Sequence, residues 1–331
     1  MTTSLGTEGT TEQRVLLTGA GGMLGGAVYK AALKKYGSCL ATDIDLNEPW
    51  LSFLDVRDIH QVEKIFEEYK PTIVMHLAAL TDLEYCELNP EESWKTNALG
   101  TENVALIARK HNATMVYICT AGIFGGEQEE FTDFDKPNPL SHYAKSKYHG
   151  ERFVEQYLTN YYIFRAGWMM GGGLVKDKKF INKIYKQLRA GKKELFVVDD
   201  KLGTPTYTVD FANSIMKVID SGYYGLYNQV CEGSCSRLDV AKEFIKLLGL
   251  EDEVVLTMVP SSYFKQEYFA PRPYSEKLVN LKLRLRQINY MRHWKEALAD
   301  YAKEFREHYD TYHRGGVVQA EKKSKGFLSN L

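Results

Sequence analysis

From residue 14 onward, short apolar runs alternate along the chain with longer stretches in which apolar residues repeat at helical spacing. The apolar runs lie at 15–17, 39–41, 73–75 and 115–119. The stretches of helical length lie at 24–35, 59–69, 91–111 and 142–157. Strands separated by helices of this length cannot pair as hairpins, so the pattern predicts parallel strands joined by right-handed crossovers. The expected fold class is α/β, a Rossmann-type doubly wound parallel sheet.

The pattern becomes less regular in the second half of the chain. Further helices and short apolar pieces are expected near 180–190, 195–198, 226–230 and 236–248. We therefore predict a Rossmann domain over 14–170 and a smaller, interleaved C-terminal α/β domain over 171–310, with part of 204–232 returning to the first sheet. Residues 1–13 and 315–331 lack apolar periodicity and are expected to be flexible termini.

Composition narrows the class of partner. The 331 residues include 44% apolar and 26% charged side chains, as in globular proteins. Lys and Arg number 42 against 43 Asp and Glu, so a net charge of −1 gives no electrostatic reason to expect nucleic acid or an anionic membrane as partner. No run approaches the roughly 18 apolar residues of a membrane span, and no signal peptide opens the chain. A cytoplasmic protein with a small-molecule partner is expected.

The five cysteines favour reduced thiols over a disulfide framework, because their number is odd and no C-x-x-C pair occurs. Cys231 and Cys235 could in principle share a metal ion. No second group of Cys or His lies nearby to complete four ligands, so no metal site is expected.

A glycine-rich segment lies between the first predicted strand and the first predicted helix. Gly19, Gly22 and Gly25 have the spacing G-x-x-G-x-x-G, a variant of the dinucleotide fingerprint. Glycine lets the backbone approach a pyrophosphate, and the start of the helix, with Met23 and Leu24, offers unpaired N–H groups. The alternative is a tight turn before a packed helix, but the position directly after a strand favours dinucleotide binding.

Two acidic positions follow later strands and bear on the nucleotide. Asp43 lies 24 residues after Gly19, near the offset at which a carboxylate accepts from the adenosine ribose 2′-hydroxyl. Because a carboxylate repels a 2′-phosphate, NAD(H) is favoured, while NADP(H) stays possible; the alternative is a loop cap, with Asp45 close by. Asp55, followed by Val56, could bind an adenine amino group, and a turn aspartate is the alternative.

A tyrosine and a lysine occur four residues apart on a predicted helix. Tyr143 and Lys147 therefore share one helix face. A nearby ammonium group is expected to lower the pKa of the phenol and make Tyr143 an acid–base catalyst. Such a pair also decorates many helix surfaces, but the strand that ends at Thr120 brings a further hydroxyl to the same sheet edge, where it could bond a substrate carbonyl oxygen.

These features together resemble a known family. The resemblance rests on the glycine pattern, Leu77-Ala78-Ala79, Asn97, Thr120, Tyr143 and Lys147, together with the segments 97–100, 139–140, 164–168, 203–210 and 270–273. The sequence is similar to the extended short-chain dehydrogenase/reductases over about 14–294, and within them to the dTDP-4-dehydrorhamnose reductase branch. The resemblance implies an NAD(P)-binding Rossmann domain and a substrate-binding second domain.

The resemblance also implies roles for individual residues. Lys147 would hold the nicotinamide ribose as well. The implied cofactor-binding residues are Leu77, Ala78, Ala79, Thr81 and Asn97, the last on the helix behind the catalytic groups. The positions that fall where the family contacts its nucleotide-sugar are Thr81, Leu83, Glu84, Trp168 and Arg272. A guanidinium suits a diphosphate, although Arg272 could be an ordinary surface residue and Trp168 part of the core.

The expected function is an NAD(P)H-dependent reduction of a nucleotide-linked keto-sugar, with Tyr143 as proton donor. The family strand usually ends Ser-Thr-Asp-Tyr-Val-Phe, whereas this chain lacks the Asp and Tyr and has Ala121 and Gly122 after Thr120. That difference argues against the related 4,6-dehydratases, which need an acid pair there. The alternatives are a nucleotide-sugar epimerase with tightly held NAD, and a non-catalytic subunit similar to the regulatory partner of methionine adenosyltransferase. A homodimer is possible by resemblance.

Overall fold

The computed structural model describes the backbone of residues 13–327 and the side chains of residues 13–311. The predicted flexible leader therefore lies outside the described residues, apart from Gln13. Within the described part, no helix is long and apolar enough to cross a membrane.

The described chain contains short strands throughout its length. They are β1 (Val15–Thr18), β2 (Cys39–Asp43), β3 (Leu51–Phe53), β4 (Ile73–His76), β5 (Thr114–Thr120), β6 (Glu130–Phe131), β7 (Tyr161–Ala166), β8 (Trp168–Met170), β9 (Glu194–Val198), β10 (Leu202–Gly203), β11 (Pro205–Tyr207), β12 (Gly225–Asn228), β13 (Cys235–Ser236), β14 (Val255–Val259) and β15 (Ser275–Leu278). The longest, β5, has seven residues and ends at Thr120.

Helices lie between most of these strands. They are α1 (Gly25–Tyr36), α2 (Ile59–Tyr69), α3 (Leu83–Leu88), α4 (Pro90–Ser93), α5 (Gly100–Lys110), α6 (His142–Tyr157), α7 (Gly173–Lys176), α8 (Phe180–Arg189), α9 (Thr208–Asp220), α10 (Arg237–Leu248), α11 (Leu281–Leu285) and α12 (Trp294–Phe327). Helix α6 has the predicted bounds because Ser141 caps it by accepting from the Ala144 N–H at 3.1 Å. Helix α12 continues through most of the predicted flexible segment 315–331, of which 328–331 lie outside the described residues.

The predicted doubly wound sheet is confirmed. Seven strands pair in the order β12-β7-β5-β4-β1-β2-β3, and every pairing is parallel. The order reverses between β1 and β4, which is the point where open α/β sheets bind ligands. Two apolar clusters cover the two faces of this sheet, one of them around Leu17 and Phe164 and the other around Leu16 and Tyr117.

A second, smaller group of strands comes from the C-terminal half and from one loop of the first half. Its main sheet has the order β13-β10-β15-β6, and two further pairs are β11-β8 and β14-β9. Strand β12, from the second half, pairs with β7 in the large sheet. These pairings bring β15 next to the loop that follows β5, and this loop is where the candidate site lies.

One predicted helix, 91–111, is interrupted. The chain forms α4, then a π-helical turn over Trp94–Leu99, then α5. A π-turn inserts an extra residue into the helical ladder and is common at functional sites. Here the turn contains Asn97, one of the residues that the sequence singles out.

Candidate active site

The candidate residues gather at the carboxyl edge of the large sheet, around its switch point. Gly19 follows β1, Leu77 follows β4, and Thr120 ends β5. Neighbouring β1 and β4 are in register from Val15 and Ile73 to Thr18 and His76, so the loops that follow them leave the sheet side by side. This arrangement forms one continuous edge from the glycine-rich segment to the start of α6.

The glycine-rich segment is shaped for close backbone approach. Gly19 has φ 70°, and a Cβ there would lie 2.3 Å from the backbone nitrogen of Ala78. A Cβ on Gly25 would lie 2.0 Å from the carbonyl oxygen of Ala20, so that glycine lets α1 pack against the end of β1. Gly22 is exposed, and the one heavy atom near its Cβ position is the Gly19 carbonyl oxygen at 3.4 Å. A turn that only linked the strand to the helix would not need glycine at the exposed position 22. Because glycine there leaves the backbone open to a ligand, the segment fits a phosphate-binding loop.

Met23 and Leu24 complete the start of α1. Leu24 is buried in the core at the N-cap of the helix. Met23 lies against the loop after β8, where a Cβ on Gly172 would be 2.9 Å from the Met23 Cγ. The glycine-rich segment therefore lies next to the loop that leads into the second half of the chain.

Asp43 lies at the end of β2 beside the glycine-rich segment. Its Oδ2 accepts from the Gly21 N–H at 2.8 Å, and its Oδ1 accepts from the Asp45 N–H at 2.9 Å. The carboxylate thus caps the loop, and it also lies at the corner where the sequence predicts the adenosine ribose. Both interpretations of Asp43 are compatible with this geometry.

Asp55 is engaged within its own turn. Its carboxylate accepts from the Arg57 Nε at 2.9 Å and from Nη2 at 2.7 Å, and from the Arg57 backbone N–H at 3.0 Å. The Arg57 hydrogen bonds lower the pKa of Asp55. Val56 is buried and packs beside Gly100. The geometry favours the turn interpretation of Asp55 over an open adenine contact.

Thr120 and Tyr143 are brought together. The Thr120 side chain lies close enough to the Tyr143 phenol to lower its pKa. Thr120 Oγ1 also accepts from the Gly122 N–H at 3.1 Å, which fixes the threonine side chain at the start of the turn after β5. Two hydroxyl groups therefore point to one place at the sheet edge, as the sequence predicts.

The pKa of Tyr143 differs from the sequence-based expectation. Burial raises it well above the ordinary value for a phenol, while the Thr120 hydrogen bond lowers it and Cys119, Cys86 and Glu276 add to the rise. The expectation of a pKa lowered by Lys147 was therefore wrong for the ligand-free protein. Spacing along a helix predicts that two side chains share a face, but not how much water each loses on burial.

Lys147 is buried between helix α6 and strand β5, next to the site. Its Nζ is 4.2 Å from the centre of the Tyr117 ring, and the side chain is buried. Burial lowers the pKa of Lys147 to about 8, while Cys119 and Glu151 act in the opposite direction. The ammonium group thus lies over an aromatic face, one helical turn from Tyr143.

Asn97 connects the loop after β4 to helix α6. Its Oδ1 accepts from the Leu80 N–H at 2.8 Å, and its Nδ2 donates to the Leu80 carbonyl at 3.0 Å. The same Nδ2 donates to Ser146 Oγ at 3.1 Å. Asn97 is fully buried, so it holds the segment of Leu77, Ala78 and Ala79 in position beside the helix that carries Tyr143.

The residues expected to contact a nucleotide-sugar lie on α3, on β8 and in the loops that precede α3 and β15. Arg272 forms a bidentate ion pair with Glu84, at 2.7 Å and 2.9 Å. The Thr81 carbonyl accepts from Lys179 Nζ at 3.0 Å. Leu83 is the first residue of α3 and is partly buried. These contacts join residues that are far apart in sequence, Glu84 to Arg272 across 188 positions and Thr81 to Lys179 across 98.

Trp168 lies in a cluster with two residues that the sequence analysis missed. Arg237 Cζ is 3.6 Å from the centre of the Trp168 ring, and the Trp168 Nε1–H donates to Glu276 Oε2 at 2.7 Å. Burial lowers the pKa of Arg237 to about 10. A Cβ on Gly203 would lie 2.2 Å from the indole, so Trp168 packs directly over that glycine. In the sequence, Glu276 could have been noticed because it lies four residues after Arg272. No neighbouring motif indicated Arg237.

His76 belongs to the core. It is fully buried, with Nδ1 2.8 Å from Thr18 Oγ1 and Nε2 3.1 Å from Thr101 Oγ1. Burial lowers its pKa to about 3, with Lys147 acting in the same direction, so the ring is neutral. All five cysteines are free thiols, and in the described part of the chain no three His, Cys, Asp or Glu residues group as a metal site.

Comparison with known proteins identifies relatives along nearly the whole chain. The family model described as RmlD substrate binding domain matches residues 13–307. The spore coat polysaccharide biosynthesis protein SpsK of Bacillus subtilis is 31% identical over 292 residues, which cover 88% of this chain and 97% of the relative.

Solved structures agree with this match. A dTDP-4-dehydrorhamnose reductase of Clostridium acetobutylicum is 37% identical, with a TM-score of 0.79, over 88% of this chain and 99% of its own. The dTDP-4-dehydrorhamnose reductase of Bacillus anthracis, solved with NADP, is 30% identical, with a TM-score of 0.80, over 89% and 100%. With its doubly wound sheet and its glycine-rich segment, the chain belongs to the RmlD family of short-chain dehydrogenase/reductase proteins.

Proposed function

We propose that this protein reduces the keto group of a dTDP-linked 4-keto-6-deoxy sugar with a nicotinamide cofactor. The observation that carries the proposal is that Thr120 and Tyr143 lie together at the sheet edge beside the glycine-rich segment. The names of the relatives support the substrate class, since the Clostridium and Bacillus anthracis proteins are dTDP-4-dehydrorhamnose reductases.

The residues at the sheet edge fit a dinucleotide. The Gly19 approach to Ala78 and the exposed Gly22 leave backbone free at a helix start, where a pyrophosphate binds. In this proposal Asp43 holds the adenosine ribose, Ala78 and Ala79 line the cofactor, and Lys147 holds the nicotinamide ribose. When bound, the reduced nicotinamide supplies the hydride that the carbonyl carbon receives.

Tyr143 is proposed to donate the proton to the carbonyl oxygen, which Thr120 also bonds. The raised pKa suits this role, because the phenol stays protonated at neutral pH and is ready to donate. After donation the phenolate lies on the same face of α6 as the Lys147 side chain, one helical turn away.

Purified protein is expected to oxidise NADH when given a dTDP-4-keto-6-deoxy sugar, and to use NADPH less efficiently. The Asp43 carboxylate would repel the 2′-phosphate of NADPH. The kcat/KM for NADPH is therefore expected to be roughly tenfold below that for NADH, a typical cost of one unfavourable charge contact. Absorbance of both dinucleotides measures the difference, and Asp43→Asn should narrow it while Asp45→Asn should not.

Two results would count against separate parts of this proposal. If no dTDP-linked keto-sugar leads to oxidation of either dinucleotide, the reductase function is wrong. If the unaltered protein has the same kcat/KM for NADPH as for NADH, the reductase function stands, but the proposed role of Asp43 is wrong.

The pH dependence of the reaction is expected to follow Lys147. Burial lowers the pKa of Lys147 to about 8, so the ammonium form is present below that pH and is lost above it. Because kcat/KM reports the free enzyme, it should fall as pH rises through about 8. Removing the exposed Lys145, two residues earlier on α6, should leave the profile unchanged. A profile that stays flat well above the pKa of Lys147 would contradict this role.

The remaining sequence-based expectations stay predictions. They are the division into domains at 14–170 and 171–310, the cytoplasmic location and the homodimer. The pairing of β12 with β7 supports an interleaved division, because a strand from the second half completes the first sheet.

A further inference from the structure

A carboxylate from the second half of the chain lies in the space beside Thr120 that two small residues leave free. Ala121 and Gly122 follow Thr120 and carry no polar side chain. A Cβ on Gly122 would lie 3.3 Å from Glu276 Oε1 and 3.4 Å from Thr120 Oγ1. Both oxygens therefore border the same small space at the carboxyl edge of β5. Glu276 comes from β15, more than 150 residues later in the chain.

The position of Glu276 is fixed by its strand and by Trp168. Strand β15 pairs with β10 so that Glu276 lies beside Gly203, over which the Trp168 ring packs. The indole N–H donates to Oε2 at 2.7 Å. Within the described residues no hydrogen bond is made to Oε1, the oxygen nearest Gly122. One carboxylate oxygen is thus used to hold the side chain, and the other faces the space beside Thr120.

The charge of this carboxylate has a clear effect on its neighbours. Glu276 contributes to the raised pKa of Tyr143, and it opposes the lowering of the Arg237 pKa. These interactions require Glu276 to lie near both groups in their shared, partly buried surroundings. A carboxylate is an acceptor, so at this place it matches a hydroxyl group of the ligand rather than a second carbonyl.

We propose that Glu276 determines substrate specificity by accepting a hydrogen bond from the sugar hydroxyl on the carbon next to the keto group. This inference rests on the proposed function, because Thr120 and Tyr143 define where the keto oxygen lies. A site built to bond a hydroxyl rejects an analogue that lacks it, since the partly buried acceptor is then left unpaired. The substrate class is therefore a 4-keto sugar that keeps its adjacent hydroxyl.

The test compares two substrates in the unaltered protein and in Glu276→Gln. One substrate is a dTDP-4-keto-6-deoxy sugar with the adjacent hydroxyl, and the other is the matched analogue without it. The unaltered protein should prefer the first by on the order of 10- to 100-fold in kcat/KM, the scale of a hydrogen bond to a charged group. In Glu276→Gln the preference should fall about tenfold, mainly through loss of activity on the hydroxylated substrate.

Glu130→Gln is the matched control. Glu130 lies on β6, the strand next to β15, and its exposed carboxylate pairs with Lys277 rather than with the site. This variant should keep the preference of the unaltered protein. Binding of the hydroxylated reaction product, measured by calorimetry without cofactor, should also weaken in Glu276→Gln and not in Glu130→Gln.

The outcomes separate this inference from the proposed function. If the unaltered protein reduces neither substrate, the proposed function fails, and the product-binding experiment still reports on Glu276. If the unaltered protein is active and Glu276→Gln keeps the full preference, the specificity role is wrong. Equal losses on both substrates would also overturn it, because they would mean that Glu276 serves only to hold Trp168.

Discussion

Replacing Tyr143 with Phe is expected to lower kcat by about 100-fold or more, the usual scale for removal of a general acid. The phenylalanine ring keeps the packing of α6 but cannot give a proton to the carbonyl oxygen. Thr120 would still bond that oxygen, so a residual rate should persist. Steady-state oxidation of NADH with a dTDP-4-keto-6-deoxy sugar measures the change, and kcat and kcat/KM should fall together because the proton moves in the transition state.

Tyr148→Phe is the control for this experiment. Tyr148 lies on the same helix and its pKa is also raised by burial, but no contact links its hydroxyl to Thr120. The Tyr148→Phe variant should therefore retain nearly full activity. If Tyr143→Phe has normal thermal stability and an unchanged kcat, Tyr143 is not the proton donor.

The first half of the fold could be predicted from sequence because its signals are local. The bounds of α6 follow from the cap at Ser141 and the periodic apolar positions after it. The roles of Gly19 and Gly25 follow from their places between a strand and a helix, and the close contacts at both positions explain why only glycine fits there.

The far wall of the site could not be predicted in the same way. Glu276 lies on the four-residue strand β15, and Arg237 begins helix α10 directly after the two-residue strand β13. Strands this short show almost no periodicity. Their contacts with the first half depend on pairings such as that of β15 with β6, across more than 140 residues. Such pairings follow from the assembled fold, so a single sequence offers no local pattern that indicates them.

The electrostatics of the site illustrate a second limit. The spacing of Tyr143 and Lys147 correctly indicated one helix face, but the lysine lies over Tyr117 and both side chains lose water. Burial then dominates both pKa shifts, raising that of Tyr143 and lowering that of Lys147. Burial depends on the packing of β5, α3 and β15 around the pair, which the sequence of α6 alone does not specify.

Behind Lys147, one buried ion pair joins α6 to the sheet. Glu151, one turn after Lys147, accepts from Arg165 Nε at 2.9 Å and from Nη2 at 2.6 Å. The side chains are only 1% and 4% exposed. Arg165 lies on β7 beside β5, so the pair fixes the helix that carries Tyr143 and Lys147 against the strands below it. Loss of either partner would leave a charge without water and without its counter-ion.

Arg165→Met is therefore expected to lower the free energy of unfolding by about 3–5 kcal/mol, the range for breaking a buried pair. Denaturant unfolding measures this loss. Arg152→Met is the control, because Arg152 pairs with Glu155 at 2.7 Å on the exposed side of the same helix. The control should lower the free energy of unfolding by about 1 kcal/mol or less. The double variant Glu151→Leu/Arg165→Met should recover much of the loss, because neither partner of this ion pair is then left buried without the other. Equal effects of Arg165→Met and Arg152→Met would contradict the argument, since burial is what distinguishes the two pairs.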